Sequence, residues 1–168
     1  MARRHVVAVI GSGQASPEMV SCAEAVGAGL VGMGVRLITG GREGVMAAAS
    51  RGARNAPGWR DGDILAVVPG YQHAEANPWA DVVLPTGLGH ARNAVVVAAG
   101  DVVVLIGGEA GSLSEVGLAR KIGRPVVVVR GTGGLADRAS LLLPHDPGIV
   151  VVSSAQAALE AVAALLAR

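Results

Sequence analysis

Val102-Val103-Val104-Leu105-Ile106 is an unbroken aliphatic run that passes straight into Gly107-Gly108-Glu109-Ala110-Gly111-Ser112, and then into a helical pattern that continues to Ile122. A run this short, with no polar alternation, suits a strand buried on both faces, as in a parallel sheet. The glycines end it. Ser112 followed by Glu115 fits a capping box at a helix start. Strand, glycine turn and helix together make a βα unit. The unit recurs along the chain: Val6–Ile10, Val35–Thr39, Ile64–Val68, Val82–Leu84, Val126–Val129 and Ile149–Val152 read as further strands, interrupted only by Arg36 and Thr39. Helical patterns lie between them, over Pro17–Met33, Gly44–Ala53, Leu88–Ala99, Ser112–Ile122, Leu135–Leu143 and Ala155–Leu166. Such alternation predicts an α/β, Rossmann-like, doubly wound three-layer sheet, mostly parallel, of about seven strands with helices on both faces. With 168 residues and no linker, repeat or low-complexity stretch, one domain over 1–168 is expected.

Composition narrows the function. Lys+Arg 14 against Asp+Glu 13 leaves a net charge of +1, so no basic field attracts a polyanion. Phe is absent, and Trp59, Trp79 and Tyr71 are the only aromatics, which argues against base-stacking nucleic-acid modules. The single cysteine, Cys22, excludes an internal disulfide framework and a thiolate zinc cluster. No metal site is expected. The apolar run behind Arg3 and Arg4 is too short for a signal peptide core, and Ala94–Ile106 is split by Gly100 and Asp101, so neither export nor a membrane span is expected and the address is cytoplasmic.

In sheets of this kind, ligands bind beyond the carboxyl ends of the strands. Four such ends carry Gly11-Ser12-Gly13, Gly40-Gly41, Pro69-Gly70 and Gly107-Gly108. Each alone is an ordinary turn signal; together they suggest a shared phosphate or nucleotide crevice. The dinucleotide fingerprint fails, because the third glycine after Gly13 is missing and no acidic residue closes the second strand. A P-loop is absent too: the only lysine, Lys121, precedes Ile122. Two segments carry the most chemistry. At Gly107–Glu115, helix-start amides and the helix dipole favour a phosphate. At Pro85–Asn93, Arg92 opens an otherwise apolar helix, where an arginine needs an anionic partner or a solvent exit.

These blocks carry a resemblance. Val9-Ile10-Gly11-Ser12-Gly13, Gly40-Gly41-Arg42-Glu43-Gly44-Val45-Met46, Asn77-Pro78 with Pro85-Thr86-Gly87-Leu88-Gly89-His90-Ala91-Arg92-Asn93, and Gly107 to Glu115 occur in order over most of the chain, up to about Val129. Together they resemble the Rossmann-like nucleotide-binding proteins related to the "lonely guy" phosphoribohydrolases, a group often mislabelled as lysine decarboxylases. The subgroup that includes molybdenum-cofactor carrier proteins is the most similar. The phosphoribohydrolase signature reads Pro-Gly-Gly-x-Gly-Thr-x-x-Glu with an upstream Arg-Lys pair. By resemblance, Arg92 and Glu115 correspond to catalytic residues. Here Ile106 replaces the proline, Glu109-Ala110 lengthens the loop by one residue, Ser112 stands for threonine and Asn93 for lysine. The decarboxylase label meets a separate objection. Pyridoxal phosphate needs a Schiff-base lysine, and Lys121 sits far along its helix from the crevice.

The expected site follows. Gly107, Gly108, Gly111 and Ser112 hold a phosphate. Gly11, Ser12, Gly13, Gly40, Gly41, Gly44, Val45, Met46 and Asn93 border the nucleotide. Arg92 and Glu115 act on it if the protein is an enzyme. Two functions remain open. One is binding of an AMP-like nucleoside monophosphate with hydrolysis to free base and ribose 5-phosphate. The alternative is a non-catalytic carrier of a nucleotide or of molybdenum cofactor. No cofactor is required for either. The partner is a small phosphorylated ligand, with no nucleic acid and no membrane, and the resemblance implies a homodimer or higher homo-oligomer.

Overall fold

The computed structural model describes residues 3–142 and 144–168. Its strands are β1 (Val6–Gly11), β2 (Arg36–Thr39), β3 (Ile64–Val68), β4 (Val82–Pro85), β5 (Val102–Ile106), β6 (Val126–Val129) and β7 (Ile149–Val152). They form one parallel sheet in the order β4-β3-β2-β1-β5-β6-β7. The order reverses between β1 and β5, which pair over Val7–Gly11 with Val102–Ile106. A crevice opens at such a reversal because the connections leave β1 and β5 toward opposite faces.

Helices α1 (Pro17–Gly32), α2 (Val45–Arg54) and α6 (Ala155–Leu166) cover one face, around Val7, Val9, Leu37, Val104 and Val127. On the other lie α3 (Arg92–Ala99), α4 (Ala110–Lys121) and α5 (Ala139–Leu142), around Ala8, Ile10, Ile38, Val103 and Leu105. Alternate residues of each central strand thus feed two cores, which is why β5 and β6 read as continuous aliphatic runs. The pattern weakens at the edges. β4 exposes Val82 and Leu84, and β7 exposes Val151. Apolar composition identified those strands without revealing that they lie at the rim.

Local chemistry sets the helix starts. Ser16 caps α1 by accepting from the Met19 amide, with Pro17 at the first helical position, and Ser154 caps α6 through the Ala157 amide. Three helix starts differ from the sequence reading by two residues or more. The Leu88–Ala99 segment begins with a 3-10 turn, Gly89–Ala91, before α3 proper. α5 starts only at Ala139; Leu143, at the expected end of that helix, lies outside the described residues. α4 starts at Ala110, two residues ahead of Ser112, with consequences for the site.

Candidate ligand-binding site

The β5–α4 turn is built on Gly107 (φ +60°) and Gly108 (φ +101°), a backbone that side-chain-bearing residues rarely adopt. Both residues are buried, and their amides are already engaged. Gly107 N–H donates to Thr132 Oγ1 and Gly108 N–H to Ser12 Oγ, each at 2.8 Å. Their carbonyls accept from the Ala136 and Leu135 amides. The two amides expected at a phosphate thus already have protein acceptors. They lock the turn, because buried amides without partners are costly, and Ser12 anchors it.

The free amides sit one step later. Glu109 is the N-cap of α4 and its side chain makes no capping bond, so the amides of Ala110, Gly111 and Ser112 have neither a backbone nor a capping partner. Ser112 is the third residue of the helix, not its cap, and the capping box with Glu115 does not form. Glu115 is instead left for other work.

A cavity of about 230 Å³ is lined by two of these residues, Gly111 and Ser112. Gly11, Ser12 and Gly13 of the β1 turn, Gly40, Met46, Arg92, Asn93, Gly111, Ser112 and Glu115 line it, joined by Ile10, His90 and Glu109. Space explains two of the glycines. A Cβ on Gly11 would lie 2.1 Å from the Ile106 carbonyl oxygen, and one on Gly40 would lie 2.3 Å from Arg92 NH1. Gly40 is small because a guanidinium lies against it. Gly41, Gly44 and Val45, expected at the ligand, are not in the lining. Gly44 packs on the β1 turn, and the buried Val45 donates its amide to the Ser12 carbonyl at 3.0 Å. They brace the wall from behind.

Arg92 and Glu115 form the centre. Arg92 is 9% exposed and Glu115 6%. The guanidinium lies 3.7 Å from Glu115 Oε1 and donates at 2.8 Å to Asn93 Oδ1, while its buried Nε has no partner. Among the described residues Glu115 accepts no hydrogen bond. Burial pushes its carboxyl up to about 7, against the pull of Arg92. Burial also lowers the Arg92 pKa; Glu115 opposes this and the nearby Arg42 adds to it. The ion pair is loose, with spare donors on one side and spare acceptors on the other.

The model of the SLOG cluster4 family matches residues 4–159. The chain belongs to that family. This places it in the Rossmann-like superfamily of the lonely guy and molybdenum-cofactor-carrier-like proteins, as the motifs suggested. The SLOG cluster4 protein is 34% identical over 131 residues to an uncharacterized protein of Archaeoglobus fulgidus, a match covering 74% of this chain and 83% of that one. Its fold is similar to that of the molybdenum cofactor binding protein from the phototrophic bacterium Rippkaea orientalis, at 30% identity and TM-score 0.87, covering 99% of each chain. It is also similar to the molybdenum cofactor carrier protein of Chlamydomonas reinhardtii, at 32% identity and TM-score 0.86, covering 99% of this chain and 100% of that one.

Residues that sequence reasoning passed over also line this region. Ile10, His90 and Glu109 join the small cavity. Arg42, Glu43 and Pro69 line a larger one beside it. A charged pair set between Gly40-Gly41 and Gly44 at a strand end was a readable signal. Thr132, which anchors Gly107 from 25 positions away, had none. Lys121 ends α4, exposed and outside both linings. Among the described residues no group of three or more His, Cys, Asp or Glu could hold a metal ion, and no helix is long and apolar enough to cross a membrane.

Proposed function

We propose that this protein holds a small phosphorylated ligand at the start of α4 and carries it intact, with a phosphorylated pterin of the molybdenum-cofactor kind as the cargo. The observation that carries this is the pair of unpartnered amides of Gly111 and Ser112, on residues that line a small cavity together with Arg92 and its spare donors. Amides at a helix start and a buried guanidinium are the donor set a phosphate monoester requires. The relatives described as molybdenum cofactor carriers support the choice of cargo. Mass spectrometry of ligand released from the purified protein tests it. A pterin phosphate supports the carrier reading and an adenine nucleotide counts against that cargo. Arg92→Ala is expected to weaken phosphate-ligand binding about 30-fold or more, as for loss of a charged hydrogen-bond partner.

The Glu115 carboxyl favours a second reading, N-glycosidic hydrolysis of a nucleoside monophosphate. A carboxyl titrating near 7 is suited to proton transfer at neutral pH. Glu115 in its ionised form takes a proton from water as the oxygen attacks the ribose C1′. The C–N bond breaks with its electron pair going to the base, which is then protonated, and free base and ribose 5-phosphate leave. Carboxylate near the ribose also stabilises the oxocarbenium-like transition state. Release of free base from AMP or GMP, lost in Glu115→Gln, would establish this reading; intact nucleotide after prolonged incubation would reject it.

The outer face of α3, with Ala94, Val95, Ala98 and Ala99 exposed beside Leu88, supports a homo-oligomer in which a second copy covers that face. Light scattering on the eluted peak from size-exclusion chromatography measures it. We place the protein's work in the cytoplasm, on a soluble ligand rather than on nucleic acid.

A further inference from the structure

A second cavity, of about 500 Å³, adjoins the first and shares Gly13, Met46, His90 and Arg92 with it. The small cavity has room for a phosphate. The larger one falls within the usual range for the body of a small-molecule ligand. Its distinctive lining is Arg42 and Glu43, neighbours in the chain and opposite in charge. Among the described residues neither side chain makes a hydrogen bond or an ion pair, not even with the other. Yet the backbone that displays them is held firmly. Asn77 donates its amide to the Gly41 carbonyl at 2.7 Å, and its Nδ2 to the Gly41 and Arg42 carbonyls at 3.1 and 3.2 Å. A rigid loop thus presents a donor fork and an acceptor pair side by side, over a wall of Met46 and Pro69.

We propose that this second cavity recognises the 2-amino-4-oxopyrimidine ring common to pterins and guanine, with Glu43 and Arg42 reading its edge. That edge presents a carbonyl oxygen, a ring N–H and an amino group in a row. Glu43 accepts from the N–H and the amino group, and Arg42 donates to the carbonyl, so every charged group finds a complement. Adenine offers one amino donor beside a ring nitrogen lone pair, which faces a carboxylate unfavourably. Met46 supplies a soft thioether against the ring. The inference rests on the reading that α4 holds the phosphate, since that anchors the ring in the neighbouring cavity.

Calorimetric titration of the intact protein with GMP, AMP, a pterin bearing a side-chain phosphate and inorganic phosphate tests it. GMP and the pterin phosphate are each expected to bind roughly tenfold or more tightly than AMP, the discrimination a good bidentate pair provides. Glu43→Gln should narrow the GMP-to-AMP ratio to below about threefold by loss of one of the two acceptor oxygens. Glu43 is exposed, so its melting temperature reports whether the variant is folded. The tighter of GMP and the pterin phosphate identifies the ring source, and either order sustains the proposal. Equal affinity for GMP and AMP, or a preference that survives Glu43→Gln, overturns it. If inorganic phosphate competes with both nucleotides while they bind alike, the phosphate reading stands and the ring subsite fails. If none of the four binds, both fail.

Discussion

The two ends of the β-sheet treat a carboxylate in opposite ways. At the amino ends of the strands, Asp101 closes a hub. It accepts from Arg3 at 2.7 and 3.1 Å and from the Val6 amide at 3.0 Å, with His5 Nδ1 at 3.3 Å. Burial alone would raise its pKa, but the hydrogen bonds from Arg3 and Val6 win and hold it at about 2. At the carboxyl ends, Glu115 has one cation at 3.7 Å and no hydrogen bond, and burial wins. Two things separate them: Asp101 is only partly buried and has several donors within reach, whereas Glu115 is buried with none. The amino end is finished as a fold and needs nothing more. The carboxyl end is left short of partners, which costs stability and leaves capacity for a ligand.

That contrast can be broken or sharpened by experiment, beginning with the largest effect. Between pH 4.5 and 7 the folded protein keeps the Glu115 proton that the unfolded chain has lost. Stability therefore falls as pH rises through that window, by up to ~3 kcal/mol. Glu115→Gln should remove this decline, seen as a flatter profile of urea unfolding between pH 5 and 8. An unchanged slope would mean that another group carries it.

Next comes the turn lock. Thr132 Oγ1 accepts from Gly107 N–H and donates to the Val129 carbonyl at 2.7 Å. Thr132→Val leaves a buried amide unsatisfied and should cost about 2 kcal/mol of unfolding free energy. Phosphate binding should weaken with it, because the same turn positions the start of α4. Loss of stability with full ligand affinity would separate the two roles.

The smallest effect is at the finished end. Asp101 has a lowered pKa, so its contribution is present above the unfolded value of 3.8 and fades as pH falls toward 2. After discounting for solvent screening, Asp101→Asn should cost about 1 kcal/mol at pH 7 and less at pH 3. Ligand binding should not change at all, which thermal shift with and without GMP would show.

Much of this was legible beforehand. The strand β5 and the turn after it stood out because a doubly buried strand has no polar residue to hide, and because a βα turn at a ligand crevice uses glycine. Arg92 stood out as a charge in an apolar helix, and Glu115 through its spacing from Ser112 and the family resemblance. The roles inside the Gly107–Ser112 turn were not legible. Ser112 next to Glu115 has the spacing of a capping box, and only the earlier start of α4 at Ala110 separates that pattern from the real one. Val45, Gly41 and Gly44 sit in the right motif but face the supporting side, because neighbours in sequence leave a turn in different directions.

Sequence alone determined the layers, the parallel pairing and the glycine turns at the carboxyl ends of the strands, because buried strands and βα turns are set by local hydrophobicity and backbone freedom. Which amides remain open was decided by tertiary contacts: Ser12 and Thr132 reach Gly108 and Gly107 across 96 and 25 positions. A hydrogen bond is spent on whichever acceptor the fold brings within 3 Å, and no local pattern encodes that proximity.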